Sequence, residues 1–462
     1  MFTILLFSIG FFGLGWLVVG PILYGSVVSE KTSIPCLQEI ALILVCGMVA
    51  DYGLVLYLQS LQSSLLIGSS LSIFGLVCYV IRSYRCRNRE KYFCSISWKK
   101  TVGIVVLCGF YFIPILTEPL SAWDARSIWF FHAKMIYAEG ALSHAAGWSH
   151  PSVTFSHVDY PKLIPVLAAQ ATYISGFWNE YLPKVALIFM LVPAILWLFS
   201  FARRSFSFVF LLMVFPLSLC EWLWNGYMDG YFALYFSISL LLYGRYMISR
   251  RTIDIVSSVC CLLLLLNIKG EGLLAVISVI TGFCLIMSIK FVRKQCPPIQ
   301  LKKLFKLYWR AGFALFIWLS PFMMWNIYKQ RWNLSNDLQI GSMQSLARIS
   351  SRLTDGSWLV IVERSFEELW SALLILGVAC VASAIQKKPV VKESLPALVT
   401  GGIYFLGITT IYLLTPYDLL WHLKTSIDRT MLVIRGCIFV GSFFILSALE
   451  KPQTMTEETP VH

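Results

Sequence analysis

Apolar runs of about 20 residues recur from one end of this chain to the other, and each is long enough to cross the ~30 Å hydrocarbon core of a bilayer as one helix. With 58% hydrophobic residues, 13% charged residues and a mean hydropathy of +0.74, the apolar surface is too large for soluble domains, which carry about 25% charged residues. The expected class is therefore an all-α polytopic membrane protein. The first run, "MFTILLFSIGFFGLGWLVVG", has no basic leader and no clear small-residue cleavage site, so it reads as a span and not as a signal peptide.

The net charge of +13 does not point to nucleic acid, because the Lys and Arg residues gather in short loops between apolar runs, the positive-inside pattern. The densest loop, Arg82 to Lys100, is assigned to the cytoplasm. From there the runs Thr101–Leu116, Leu182–Phe201, Phe206–Cys220, Tyr231–Met247, Ile255–Ile268, Leu273–Ile289, Ala311–Ile327, Leu369–Ile385, Ala397–Leu414 and Met431–Leu446 alternate sides. Their basic junctions at Arg203-Arg204, Arg245 with Arg250-Arg251, Lys290 to Lys306 and Lys387 to Lys392 then all fall in the cytoplasm. This holds only if Tyr160 to Gly176, short and opened by Pro161 and Pro165, lies at the interface without crossing. With three spans before Arg82 the expectation is about thirteen spans, the amino terminus outside. The expected segments are residues 1–100 (three spans and a basic loop), 101–294 (a catalytic module with outer loop 118–181) and 295–462 (the last spans, with outer loops 329–357 and 415–429).

On that topology the outer side collects most of the chain's chemistry: His132, His144, His150, His157 and His422, with Asp124, Asp159, Asp229 and Asp418. The thirteen Cys residues include no C-x-x-C pair, and none lies in those outer loops, so neither a disulfide framework nor a structural zinc site is expected. No phosphate-binding G-x-x-x-x-G-K-[ST] loop occurs, which argues against an ATP-driven transporter.

Five polar clusters stand out. "SAWDARSIWFFHAKMIYAEG" places Asp124, Arg126, His132 and Lys134 just beyond a span. A carboxylate there can serve as general base for an acceptor at the membrane surface, or simply cap a helix. Arg126 offers a planar fork to a phosphate. "HVDYPKLIP" contributes His157, Asp159, Tyr160 and Lys162; "WLWNGYMDGYF" sets Asp229 at the outer mouth of a span, costly without a partner or a task. "NIKGEGLL" puts Lys269 and Glu271 in a tight turn, and "TPYDLLWHLKTSIDR" adds Asp418, His422 and Arg429, the alternative being an amphipathic interfacial helix. Together they suggest one cavity suited to an anionic donor and a nucleophilic acceptor.

These pieces, from Trp123 to Arg429, resemble the GT-C superfamily of membrane glycosyltransferases, which use polyprenyl-phosphate sugars and include protein O-mannosyltransferases and the aminoarabinose transferases of lipid A. The resemblance implies a GT-C-like helical bundle with outer juxtamembrane helices, with Asp124 and Asp229 as the catalytic acids. It loosely places Asp159, Pro161 and Lys162 near the lipid phosphate. Arg126, Lys162, Lys269 and Arg429 are the expected donor-phosphate partners, with His132, Lys134, His157, Asp159, Tyr160, Glu271, Asp418 and His422 around the substrate. A single Asp at 124 replaces the paired acids of many relatives, so no cofactor is expected with certainty and a divalent metal is left open. The function implied is transfer of a sugar from a polyprenyl phosphate to a lipid, glycan or protein acceptor on the outer face of a membrane, expected to be a bacterial cytoplasmic membrane. The alternatives are a transporter or lipid flippase, and a structural subunit of an envelope assembly.

Overall fold

The computed structural model describes residues 2–25, 36–87, 97–143, 147–201, 210, 218–292, 301–334, 343–387 and 392–449. Among these the chain is all-helical, as lipid demands of any backbone that must satisfy its own hydrogen bonds. The helices are α1 (Phe2–Gly25), α2 (Cys36–Leu58), α3 (Leu61–Arg87), α4 (Trp98–Thr117), α5 (Phe130–Glu139), α6 (Leu163–Ser175), α7 (Val185–Ser200), α8 (Asp229–Ser249) and α9 (Thr252–Leu266). They continue as α10 (Gly272–Val292), α11 (Leu301–Arg331), α12 (Met343–Thr354), α13 (Ser357–Ile385), α14 (Leu395–Leu414) and α15 (Leu419–Leu449).

Ten helices among the described residues are long and apolar enough to cross a membrane, which makes the protein an integral multi-pass membrane protein. The difference from thirteen has identifiable sources. The run Phe206–Cys220, with Arg203-Arg204 and His144, falls mostly or wholly outside the described residues. The run Ile255–Ile268 belongs to α9, whose 15 residues reach only about 22 Å. The run Ala311–Ile327 lies inside the 31-residue α11, which is not among the ten.

Helices α2, α7, α8 and α15 form the enclosed centre, whereas α3, α4, α10 and α13 turn residues such as Ile73, Val105, Ile280 and Leu374 outward, as lipid-facing helices do. Small residues set the closest crossings: a Cβ on Gly15 of α1 would sit 1.8 Å from the Ile43 carbonyl of α2, and one on Gly47 of α2 would sit 2.0 Å from the Phe11 carbonyl. Without a hydrophobic drive between helices in lipid, such backbone approach supplies the dispersion contact. Helix α6, expected not to cross, is not among the ten, and its residues Leu163 to Thr172 are buried between α5, α2 and α7. Its sequence "LIPVLAAQATYIS" is apolar nearly all round, and a helix of that kind belongs inside.

A buried polar knot ties α2, α7, α8 and α9 at the end of α8 and α9 opposite Asp229 and Lys269. Asp254 is fully buried and accepts from Arg245 Nε at 2.9 Å, Gln38 Nε2 at 2.9 Å, Ser249 Oγ at 2.7 Å and Arg251 Nε at 3.1 Å. Arg245 also donates to Gln38 Oε1 at 2.8 Å and to Ser200. Removing one member of such a network strands the others in a low dielectric. Asp254→Ala is therefore expected to destabilise the fold by about 3 to 5 kcal/mol, read as a lowered thermal midpoint in detergent. Asp254→Asn, which keeps an acceptor for Gln38 and Arg245, should lose less.

Candidate functional site

Four parts of the chain meet at one end of the bundle. Asp124 precedes a single π-helical turn, Ala125–Trp129, just after α4. Asp229 is the first residue of α8, where free amide groups favour a negative charge. Lys269 and Glu271 occupy the turn between α9 and α10, and Arg429 lies in the part of α15 that precedes the apolar stretch beginning at Met431. The approach depends on Gly226, at φ +89°: a Cβ there would lie 2.6 Å from the Cβ of Ala125, so only glycine lets the loop before Asp229 close onto the segment carrying Asp124.

The charges form a chain. Arg429 Nη1 is ion-paired with Asp124 Oδ2 and lies in the field of Asp229. Lys269 Nζ lies 2.8 Å from Asp229 Oδ1 and 3.0 Å from Glu271 Oε1. The Arg429 guanidinium rides 5.4 Å from the centre of the Tyr227 ring. Three carboxylates face two cations, which leaves the cluster one negative charge in excess. Asp229 Oδ2 and Glu271 Oε2 are buried with no hydrogen-bond partner among the described residues, an arrangement that costs free energy unless something binds there.

Asp124 keeps about 13% of its side chain exposed. Burial raises its carboxyl above the usual range; Arg429 opposes the rise and Asp229 adds to it. Burial would lower the Lys269 ammonium, but Asp229 and Glu271 outweigh it, and its pKa stands well above the ordinary lysine value. Tyr160 borders the same cluster. Its ring stacks on His157 at 5.1 Å, lies 5.7 Å from Trp129, and would touch a Cβ on Gly270 at 4.0 Å. Burial raises its hydroxyl pKa first, and Glu271 raises it further, so it is a neutral donor.

Other expected site residues go elsewhere. Lys162 is fully buried and points away from the ion cluster: its Nζ donates to Val158 O at 2.9 Å and to His132 Nδ1 at 3.1 Å, between the rings of Trp148 at 4.7 Å and Trp325 at 4.9 Å. The Ser156 hydroxyl donates to Val153 O at 2.6 Å, so it accepts from His132 Nε2 at 3.0 Å, and this network assigns the proton to Nε2. Burial, then the neighbouring ammonium, lowers the His132 pKa far below the ordinary value, and burial does the same to Lys162. The pair is a packing knot, and Lys162 is not placed to meet a phosphate at the cluster. Asp159, which starts the same segment, accepts through its backbone carbonyl from Trp325 Nε1 at 3.0 Å.

Arg126 and Lys134 face a different hollow from Asp124, shared with Trp178 and Glu180. Asp418 accepts from Trp421 N at 2.8 Å, capping α15, and His422 packs edge-on against Tyr412 at 5.0 Å. Sequence reasoning missed Tyr227, although it stands two residues before Asp229. It also missed Arg352 of α12, whose guanidinium donates to the carbonyls of Tyr412, Leu413 and Thr415 at the end of α14.

A divalent metal does not suit these residues. Among the described residues no three His, Cys, Asp or Glu side chains gather as ligands, and the carboxylates that come closest are already met by Arg429 and Lys269, which stand where a cation would. The cluster can instead take a proton at Asp124 and offer Arg429 to an anion, both side chains being partly exposed. No family model matches the sequence, and neither a curated protein nor a solved structure matches it.

Proposed function

We propose that the protein is a glycosyltransferase of the GT-C kind, moving a sugar from a polyprenyl-phosphate donor to a lipid, glycan or protein acceptor on the outer face of a bacterial cytoplasmic membrane. The observation that carries this reading is the convergence of Asp124, Arg429, Asp229, Lys269 and Glu271 from four distant parts of the chain, with Asp124 still partly exposed.

The charge count suggests how the step runs. Asp124 removes the proton from the acceptor hydroxyl while the acceptor oxygen bonds to the anomeric carbon from the face opposite the phosphate. The bond from that carbon to the phosphate oxygen breaks, and the lipid phosphate leaves with the electron pair, inverting the anomeric centre. Protonation of Asp124 cancels its charge, loosens its hold on Arg429 and takes the cluster from one negative charge to neutral. Arg429 is then free to meet the charge growing on the leaving phosphate, so stabilisation arrives as the transition state forms.

A transporter or lipid flippase is the second reading, favoured by Asp51, an acid buried within α2 that accepts from Gln170 Nε2 at 3.3 Å. Purified full-length protein supplied with a panel of radiolabelled polyprenyl-phosphate sugars and extracted envelope lipid separates the two. Label should pass from at least one donor to the lipid fraction, and the absence of transfer from every donor would overturn the transferase reading.

A further inference from the structure

Beside the ion cluster lies an outward-facing pocket of about 370 Å³, within the size range of small-ligand sites. Its walls include Phe130, Phe131 and Trp178, and its polar groups are Arg126, Lys134 and Glu180. Glu180 is partly engaged, accepting from Trp178 Nε1 at 3.3 Å. Lys134 Nζ stands 5.9 Å from the centre of the Trp178 ring, and neither Lys134 nor Arg126 makes a side-chain ion pair or hydrogen bond among the described residues. The pocket therefore carries two uncommitted cations against one carboxylate. The neighbouring cluster has the opposite imbalance.

We infer that this pocket binds the anionic saccharide headgroup of the acceptor. The cations would hold its phosphate or carboxylate, Arg126 through its fork and Lys134 as a point charge, while the apolar C–H face of a sugar ring packs on the indole of Trp178. Arg126 follows Asp124 by two residues on one short segment, so a headgroup seated here lies next to the element that carries the base, and the pocket's positive charge offsets the excess negative charge of the cluster. The role as acceptor site rests on the transferase reading; the binding of an anionic saccharide does not.

The test is saturation-transfer NMR on the full-length protein in detergent, with glucose 6-phosphate, glucuronate and glucose as probes. At least one anionic sugar should bind with a millimolar Kd at moderate salt while glucose does not, and whichever anion binds tells phosphate from carboxylate. The double substitution Arg126→Ala, Lys134→Ala should weaken that binding about tenfold or more with an unchanged melting temperature, since both side chains are exposed. Trp178→Ala should weaken it as well. Equal binding of glucose and the anions, no binding of either anion, or binding indifferent to the double substitution would each overturn the proposal. Anion binding as expected in a protein that transfers no label would support the site and bring down the transferase reading alone.

Discussion

Replacing Asp124 with asparagine is expected to lower sugar transfer by about 100-fold or more, the usual worth of a positioned general base, while donor binding survives. The shape is kept and the proton acceptor is lost. The ion pair with Arg429 is lost as well, so a second variant is needed to separate base from anchor. Arg429→Lys retains a positive charge near Asp124 but gives up the planar fork, and its defect should fall on donor affinity and the leaving phosphate more than on proton removal. The pH dependence distinguishes them further. Burial holds the Asp124 carboxyl above its ordinary value, with Arg429 opposing and Asp229 adding to the rise. On the proposed mechanism the active form is the deprotonated one, so kcat/KM should fall as pH drops through that raised value, at a higher pH than an exposed aspartate near 3.9 would give. Asp124→Asn should abolish this acid limb, and its persistence in the variant, or transfer equal to wild type, would remove Asp124 from the mechanism.

The apolar runs made the spans legible because a bilayer imposes one length on every crossing, and breaks in those runs exposed Asp124, Asp229, Lys269, Glu271 and Arg429. What they could not convey was direction. In "HVDYPKLIP" the spacing is the same whether Lys162 reaches out to a phosphate or turns inward between Trp148 and Trp325, and the structure turns it inward. In "WDARSIW" Asp124 turns towards Arg429 and Arg126 into the adjoining pocket, as side chains two apart on a helix diverge, but the spacing names neither partner. Arg245 was read only as part of a basic junction, and its partner Asp254 was invisible as such because it sits nine residues away on the next helix. The continuity of α15 with its polar leading turns was hidden too. A span read from hydropathy begins at Met431, whereas the helix begins at Leu419 and carries Arg429 to the cluster on its polar turns.

Lys269→Met is expected to destabilise the protein more than any other substitution at the cluster, by about 3 to 5 kcal/mol, the cost of breaking a buried pair from one side. Lys269 is the sole cation within salt-bridge distance of Asp229 and Glu271 among the described residues, and its loss would leave two carboxylates facing each other. They lie where Asp229 Oδ2 and Glu271 Oε2 already lack partners. The sign with pH follows from the lysine itself. Its folded-state pKa is raised above the unfolded value because the two carboxylates outweigh burial, so its contribution is fully present below the unfolded pKa and fades only as pH rises through the folded one. The loss in Lys269→Met should therefore be undiminished across the neutral range. Adding Asp229→Asn should recover part of it, since a neutral amide no longer needs the ammonium and can itself donate to Glu271. Thermal unfolding of the three proteins in one detergent decides the matter: a single variant that melts with the wild type would mean that the cluster is held by something other than this lysine, and a double variant no more stable than the single one would locate the loss in packing and not in charge.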